Sequence, residues 1–103
     1  HKPLPNMTIE TIIKTQKQFL RARQYKLNLS QAITLLLLEE EFMSTNAVAR
    51  KLGLSSAAIT GILDKLESMR LTFRKRTQHD RRLIIIGLTD QGREVAHDIA
   101  NPQ

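Results

Sequence analysis

The stretch from Thr45 to Arg82 constrains the fold of this chain more than any other part of the sequence. A short apolar pattern ends at Gly53, a serine pair follows at Ser55 and Ser56, and a strongly basic segment completes the stretch. Glycine accepts the left-handed conformation with which many helices end. Serine often begins the next helix, because its side-chain oxygen accepts a hydrogen bond from an N–H of the first turn. The stretch therefore predicts two short helices joined by a tight turn.

The helix that follows Ser55 has two contrasting faces. Its apolar residues recur at spacings of three and four, as on one side of an amphipathic helix: Ile59, Ile62, Leu63, Leu66 and Met69. The opposite face carries mostly short side chains near the helix start: Ser56, Ala57, Thr60, Gly61, Asp64 and Lys65. A helix that enters the major groove of DNA needs such a face, because bulky side chains would hold its backbone away from the base edges. An ordinary surface helix explains the same pattern, so both interpretations are open for this helix alone.

A basic segment and an apolar run then predict a β-hairpin. Arg74, Lys75 and Arg76 lead into a polar tip, and residues 83–88 are rich in β-branched side chains. A basic tip suits phosphates or the narrow, electronegative minor groove. Asp80 would repel phosphates there unless it holds an arginine through a charge-assisted hydrogen bond. Helix, turn, helix and hairpin in this order indicate a winged helix-turn-helix, mainly α with a small β-hairpin wing (α+β).

The net charge of +6 is concentrated in the same stretch. Residues 50–82 carry nine basic and three acidic side chains, whereas residues 1–49 have a net charge of +2 and residues 83–103 of −2. A charge that follows the motif is the electrostatic pattern of a nucleic-acid-binding protein. The alternative is a basic surface that only keeps the protein soluble.

The residues around the hairpin also resemble a known family. Asp80-Arg81-Arg82, a short apolar strand and then Leu88-Thr89-x-x-Gly92 are similar to the wing and the following helix of the multiple-antibiotic-resistance regulator (MarR) family. Leu54-Ser55 and Leu66-x-x-x-x-Leu71 fit the start and the exit of its recognition helix, and the similarity spans roughly residues 29–99. The family usually has glycine in place of Arg70. If that position takes a positive φ, a non-glycine residue costs on the order of 1 kcal/mol.

This resemblance implies a homodimeric transcription regulator, in our prediction a repressor, that binds double-stranded DNA at a palindromic operator. Family members often bind small aromatic acids between the DNA-binding lobe and the dimer helices. We therefore allow for a small-molecule effector, although no residue of this sequence identifies its pocket.

The expected DNA contacts follow from position in the motif. The predicted residues on the helix would approach the major groove, and the backbone amides at the helix start would bind a phosphate. The strand arginines would hold backbone phosphates. Arg81 or Arg82 would enter the minor groove, oriented by Asp80. The predicted DNA-binding residues are Ser55, Ser56, Ala57, Thr60, Lys65, Arg74, Arg76, Asp80, Arg81 and Arg82.

Further helices are predicted on both sides of the motif. Thr8 can cap a helix that runs to about Tyr25, and its apolar stripe suits a partner subunit or its own core equally: Ile9, Ile12, Ile13, Phe19 and Leu20. Ser30 is the predicted cap of a helix that contains four consecutive leucines and is therefore buried on most sides. Ser44 or Thr45 would cap the first helix of the motif.

Further short predictions complete the chain. Phe42-Met43 is a candidate edge strand, and a last helix begins at Thr89 and stops by Asn101-Pro102. We divide the chain into an N-terminal helix that contributes to dimerisation (residues 1–28), the winged helix-turn-helix domain (29–90) and a truncated C-terminal helix (91–103). The chain begins with histidine, so we expect a fragment, a tag remnant or a chain that lacks its first residues. Family members usually continue into long dimer helices, so we also expect a smaller and weaker dimer interface.

The sequence gives no reason to propose catalysis, a metal site or a cofactor. The three histidines lie far apart, no nucleophile is paired with a base, and no glycine-rich phosphate loop occurs. The absence of cysteine fits the cytoplasm, and no apolar run is long enough to span a membrane. Two other functions are open. One is a winged-helix protein-interaction module whose basic face meets an acidic partner, and the other is a nonspecific nucleic-acid-binding protein.

Overall fold

The computed structural model describes residues 8–80 and 82–103. These residues form α1 (Ile9–Gln24), α2 (Leu29–Glu40), β1 (Met43–Ser44), α3 (Thr45–Leu52), α4 (Ser56–Ser68), β2 (Thr72–Arg76), β3 (Ile84–Leu88) and α5 (Asp90–Ala100). The strands form one antiparallel sheet in the order β1-β3-β2. The predicted winged helix-turn-helix is confirmed: α3 and α4 are its two helices, and β2 and β3 are its wing.

Side-chain caps determine where most of the helices begin. Thr8, Ser44, Ser55 and Thr89 each accept a hydrogen bond from the backbone N–H three residues later. Each cap satisfies one of the N–H groups that have no partner within the helix. The predicted helix starts at Thr8, Ser55 and Thr89 are therefore confirmed, and of the two candidates for α3 the cap is Ser44.

The predicted cap of α2 is wrong, because the helix begins two residues earlier. Asn28 is its cap, and Ser30 lies within the first turn. The Asn28 side chain accepts from the Gln31 N–H at 2.8 Å, and the Gln31 side chain accepts from the Asn28 N–H at 2.9 Å. Such a reciprocal capping box satisfies two N–H groups, which one serine cannot do.

Left-handed residues end both helices of the motif. Gly53 has a φ of 68° after α3, as predicted, and Arg70 has a φ of 63° after α4. The Leu71 N–H donates to the Leu66 carbonyl at 3.0 Å, and Leu71 is buried. These contacts hold Arg70 in a conformation that glycine adopts without strain, at a cost on the order of 1 kcal/mol.

The core lies where α2, α4, α5 and the sheet meet. Large aliphatic side chains from each of these elements are at most 1% exposed: Leu35, Ile59, Leu63, Leu66, Ile86 and Ile99. Burial of each such side chain contributes about 1.5–3 kcal/mol. The apolar face predicted for α4 is therefore confirmed, as are the inward positions of Val95, Ala96 and Ile99 in α5.

The first strand lies one residue later than Phe42-Met43. Met43 pairs with Ile86 and both are buried, whereas Phe42 is 61% exposed and contacts Phe73 edge-on. Because successive side chains in a strand point to opposite faces, the register that buries Met43 turns Phe42 outward.

The N-terminal half of α1 extends beyond the core. Ile9, Ile12, Ile13 and Leu20 are 48–66% exposed, so the core covers little of the predicted apolar stripe. The C-terminal half is attached to α5 by Arg21, which lies 2.6 Å from Asp98, and by the Tyr25 hydroxyl, which donates to the same carboxylate. Within the described ranges, no helix combines the length and the apolar character needed to cross a bilayer.

Candidate nucleic-acid interface

The first turns of α4 present the small side chains that the sequence predicts. Ser56, Ala57 and Thr60 are exposed, and so is Lys65 one turn further along the helix. The Ser55 hydroxyl oxygen accepts from the Ala58 N–H at 3.1 Å. Because this oxygen caps the helix, backbone N–H groups are the donors for the phosphate contact expected at the helix start. The Thr60 hydroxyl donates to the Ser56 carbonyl at 2.8 Å, and its oxygen can still accept a hydrogen bond.

The wing tip is folded by hydrogen bonds of its own. The Thr77 hydroxyl donates to the Asp80 carbonyl at 2.7 Å and accepts from the Asp80 N–H at 3.1 Å. The Leu83 N–H donates to the same Asp80 carbonyl at 2.9 Å, and the Thr77 N–H donates to the Leu83 carbonyl at 3.1 Å. These bonds connect the two arms of the hairpin and define the conformation of the tip.

Asp80 contacts Arg82 at this tip. Its Oδ1 accepts from the Arg82 backbone N–H at 2.9 Å and lies 3.2 Å from Arg82 Nε. The first bond closes a local turn through the aspartate side chain, and the second is charge-assisted. The Arg82 side chain is 93% exposed. Arg82, one of the two arginines predicted for the minor groove, therefore lies beside the carboxylate. Arg81, the other, lies outside the described residues.

The two predicted arginines of the wing strand both lie on β2. Arg76 is exposed near the end of β2. The guanidinium of Arg74 binds two carboxylates of α4: its Nη2 donates to Asp64 Oδ1, and its Nε lies 3.0 Å from Glu67 Oε2. The sequence predicts a phosphate ligand at Arg74, and the structure places its charge between two acidic side chains.

A groove between the start of α3, α4 and the wing brings part of the predicted set together. Thr60, Arg74 and Arg82 line it, whereas Ser55, Ser56, Ala57 and Lys65 lie along α4 outside its lining. Asn46, an exposed amide in the first turn of α3, also lines the groove and is absent from the predicted set. Its position just after the cap Ser44 is the signal that could have identified it. Among the described residues, no three His, Asp or Glu side chains are placed to hold a metal ion.

Comparisons with known proteins agree with this geometry. The family described as Transcriptional regulator SarA/Rot matches residues 16–99. The uncharacterized HTH-type transcriptional regulator YdgJ of Bacillus subtilis is 39% identical over 64 residues, which are 62% of this chain and 38% of YdgJ. The organic hydroperoxide resistance transcriptional regulator of the same organism is 38% identical over 80 residues, which are 72% of this chain and 54% of the regulator. The chain thus spans about half or less of the length of these curated relatives.

This chain is also similar in three-dimensional structure to a solved DNA complex. Overoxidized AbfR bound to DNA matches with a TM-score of 0.71 and 33% identity, covering 87% of this chain and 67% of AbfR. The predicted resemblance to MarR-type winged-helix regulators is confirmed, and with a match over residues 16–99 the chain belongs to the SarA/Rot family of transcriptional regulators.

Proposed function

We propose that this chain is a DNA-binding transcription regulator that reads duplex DNA with α4 and the wing. One observation carries the proposal: Thr60, on the exposed small-residue face of α4, lines the same groove as Arg82, whose side chain is 93% exposed and is contacted by Asp80. A helix with short side chains can approach base edges in the major groove, and an arginine on a hairpin tip can enter the adjacent minor groove. The two elements together fit adjacent grooves of one duplex.

Each predicted residue takes a role in this proposal except Arg74, whose guanidinium binds two carboxylates of α4. Ser56, Ala57 and Thr60 approach the base edges, and Lys65 approaches the flank of the major groove. The first-turn amides near Ser55 and the side chain of Arg76 bind phosphates. Arg82 enters the minor groove and Asp80 orients it, with Arg81 as the alternative minor-groove residue. A regulator with these contacts acts where the chromosome is, in the cytoplasm.

The proposal includes a homodimer, which we infer from the exposed apolar side of α1. One recognition helix covers only a few base pairs, which is too little to select one site in a genome. Two copies related by a two-fold axis read a palindrome with half-sites about one helical turn, ~10 base pairs, apart. Occupation of such an operator would repress transcription by excluding the polymerase. An effector that alters this binding remains part of the proposal without an assigned pocket.

Binding measured at several salt concentrations tests this function. The chain is titrated against a palindromic duplex from DNA upstream of its gene, a random duplex of equal length and a double-stranded RNA. If five to eight phosphates are neutralised per dimer, log K falls against log salt with a slope of roughly −4 to −7. The palindrome should bind at least ~10³-fold more tightly than the random duplex.

The other outcomes identify the alternative functions. Equal affinity for the palindrome and the random duplex indicates a nonspecific nucleic-acid-binding protein, and tighter binding to RNA indicates an RNA-binding protein. No binding to any nucleic acid, or binding that does not depend on salt, contradicts the proposal and favours a protein-interaction module.

A further inference from the structure

Arg74 connects the wing to the recognition helix through two ion pairs. Its Nη2 donates to Asp64, and its Nε lies 3.0 Å from Glu67 Oε2. Asp64 and Glu67 are three residues apart on α4, so their side chains lie one turn apart on the same face of the helix. A guanidinium is planar and presents its donors in a fixed arrangement. Two carboxylates on different donors therefore fix both its position and its plane.

The backbone of Arg74 is as well defined as its side chain. It occupies the central position of β2 and pairs with Ile86 of β3, which is fully buried. The strand that leads to the wing tip is thereby anchored in the core, while the side chain of Arg74 contacts α4. Arg74 also lines the groove together with Thr60 and Arg82. It lies between the two surfaces that the proposed function assigns to the major and minor grooves.

We propose that Arg74 is a positioning residue, which sets the distance and angle between α4 and the wing, rather than a phosphate ligand. This inference rests on the proposed function, because it concerns how two DNA-binding surfaces are held in register. Two negative charges surround the single positive charge of Arg74, so the cluster as a whole does not attract phosphates. Its contribution to DNA binding is geometric: a site held to within about half an ångström binds better than one left loose.

The rival role predicts the opposite electrostatics. If Arg74 left the carboxylates to bind a phosphate, Asp64 and Glu67 would compete with DNA for its guanidinium. Neutral side chains in their place would then release Arg74 and strengthen DNA binding. If Arg74 is a positioning residue, the same substitutions loosen the wing and weaken binding, although they remove two negative charges from the DNA-binding side. The sign of this one effect separates the two roles.

The test compares two variants with the same change in charge. Asp64→Asn/Glu67→Gln removes both partners of Arg74. Glu40→Gln/Glu41→Gln is the matched control, because these glutamates are exposed at the end of α2, outside the contact between α4 and the wing. Affinity for the palindromic duplex is measured by fluorescence anisotropy. We expect the first variant to bind about 3- to 10-fold more weakly than the wild type, since each exposed ion pair contributes modestly. The control should bind equally or slightly more tightly.

A second variant supplies a readout that does not depend on folding alone. Arg74→Ala should lower the affinity by a similar factor and leave the slope of log K against log salt unchanged, whereas loss of a phosphate ligand reduces its magnitude by about 1. Hydroxyl-radical footprints should lose the minor-groove protection by the wing and retain the protection by α4.

The outcomes separate this inference from the proposed function. If the wild type binds no duplex, both are overturned. If the wild type binds and Asp64→Asn/Glu67→Gln binds more tightly than the control, only the positioning role is overturned. A salt slope that becomes shallower by about 1 in Arg74→Ala overturns that role as well.

Discussion

Asp80 accepts hydrogen bonds from both the backbone N–H and the side-chain Nε of Arg82. A carboxylate on a DNA-facing hairpin raises the electrostatic cost of approach, and it also restricts the conformations of the arginine beside it. If the second effect is larger, Asp80→Ala weakens operator binding although a negative charge is removed. Arg82→Ala should cost about 1–3 kcal/mol of specific binding free energy. Duplex titrations at fixed salt measure the binding free energies of both variants.

The control for this prediction is Arg82→Lys, which keeps the charge and removes the planar guanidinium. We expect it to restore binding to random DNA and only part of the specific binding. An Asp80→Ala variant that binds operator and random duplexes more tightly than the wild type would mean that Asp80 has no orienting role.

Alanine substitutions at two helical glycines, Gly92 and Gly61, should have opposite effects on stability. A Cβ on Gly92 would lie 1.9 Å from the Leu71 carbonyl oxygen, whereas a Cβ on Gly61 would meet nothing within 4 Å. The close approach at Gly92 is enforced by Thr89, whose N–H donates to the same Leu71 carbonyl at 3.1 Å. Gly92→Ala must therefore displace backbone, and we expect a loss of about 2–3 kcal/mol.

Gly61→Ala is the matched substitution in an exposed helix interior. We expect a gain of about 0.5–1 kcal/mol, because alanine loses less backbone entropy than glycine on helix formation. Urea denaturation of both variants measures the two changes. A Gly92→Ala variant as stable as the wild type would show that the start of α5 can move away from Leu71 at little cost.

At the scale of elements, local signals predicted most of the fold. The caps Thr8 and Ser55 and the glycine at the end of α3 act within a few residues, so the sequence alone indicates them. A single serine predicts the wrong start for α2, because Asn28 and Gln31 cap the helix as a pair. The sequence pattern places β1 one residue too early, because the register of the strand depends on Ile86, which is far away in sequence.

The sequence predicts those parts of the candidate site that depend only on local spacing along the chain. The exposed face of α4 follows from helical periodicity, and the contact between Asp80 and Arg82 spans two residues. The ion pairs of Arg74 join β2 to α4 through a tertiary contact. No sequence pattern indicates that the guanidinium of this arginine binds carboxylates of α4. Counting basic residues therefore overestimates the charge that is free to meet phosphates.

The contact between α1 and α5 makes a prediction about acid stability. Asp98 accepts hydrogen bonds from Tyr25 and Arg21, and these hold the pKa of its carboxyl below the ordinary value of 3.8. The same bond to Asp98 raises the pKa of Tyr25 above 10.0. A lowered carboxyl pKa stabilises the fold above the unfolded-state pKa, and this stabilisation is lost as the pH falls through the folded-state pKa. The raised Tyr25 pKa stabilises the fold below pH 10.0, and that stabilisation is lost at higher pH.

Asp98→Asn should therefore lower the free energy of unfolding near neutral pH and flatten its decline below pH ~4. Tyr25→Phe is the control, because it removes one donor and leaves Arg21 in place. We expect it to shift the acid-side decline toward higher pH without abolishing it. Urea denaturation between pH 2 and 7 measures these curves. An acid-side slope that is the same in wild type and Asp98→Asn would exclude Asp98 as a source of the decline.

The molecule as a whole is elongated, with principal extents of 49 × 32 × 22 Å. The exposed N-terminal half of α1 contributes an apolar surface that the core does not cover, and Ile9, Ile12 and Ile13 are its main residues. Apolar side chains that recur on one side of a helix are stabilised when a second surface covers them. The helix packs against α2 and α5, so its pairing with a second copy would fix the separation of two recognition helices.

A substitution in α1 should therefore reduce dimer formation and operator binding together. Ile12→Asp places a charge in the apolar surface at a position that is 49% exposed in one chain, so the fold of the monomer should be nearly unchanged. Thr11→Asp is the matched control: it adds the same charge at another exposed position of the same helix, on the side away from Ile12 and Ile13. Sedimentation over a concentration series measures the dimer, and duplex titration measures affinity. We expect Ile12→Asp to raise the dimer dissociation constant at least ~10-fold and to weaken palindrome binding in parallel, since it removes about 1–2 kcal/mol of apolar burial and leaves a buried charge. Thr11→Asp should change neither quantity. A wild-type chain that stays monomeric at high micromolar concentration, and yet binds the palindrome with full affinity, would show that the exposed side of α1 is not a dimer contact.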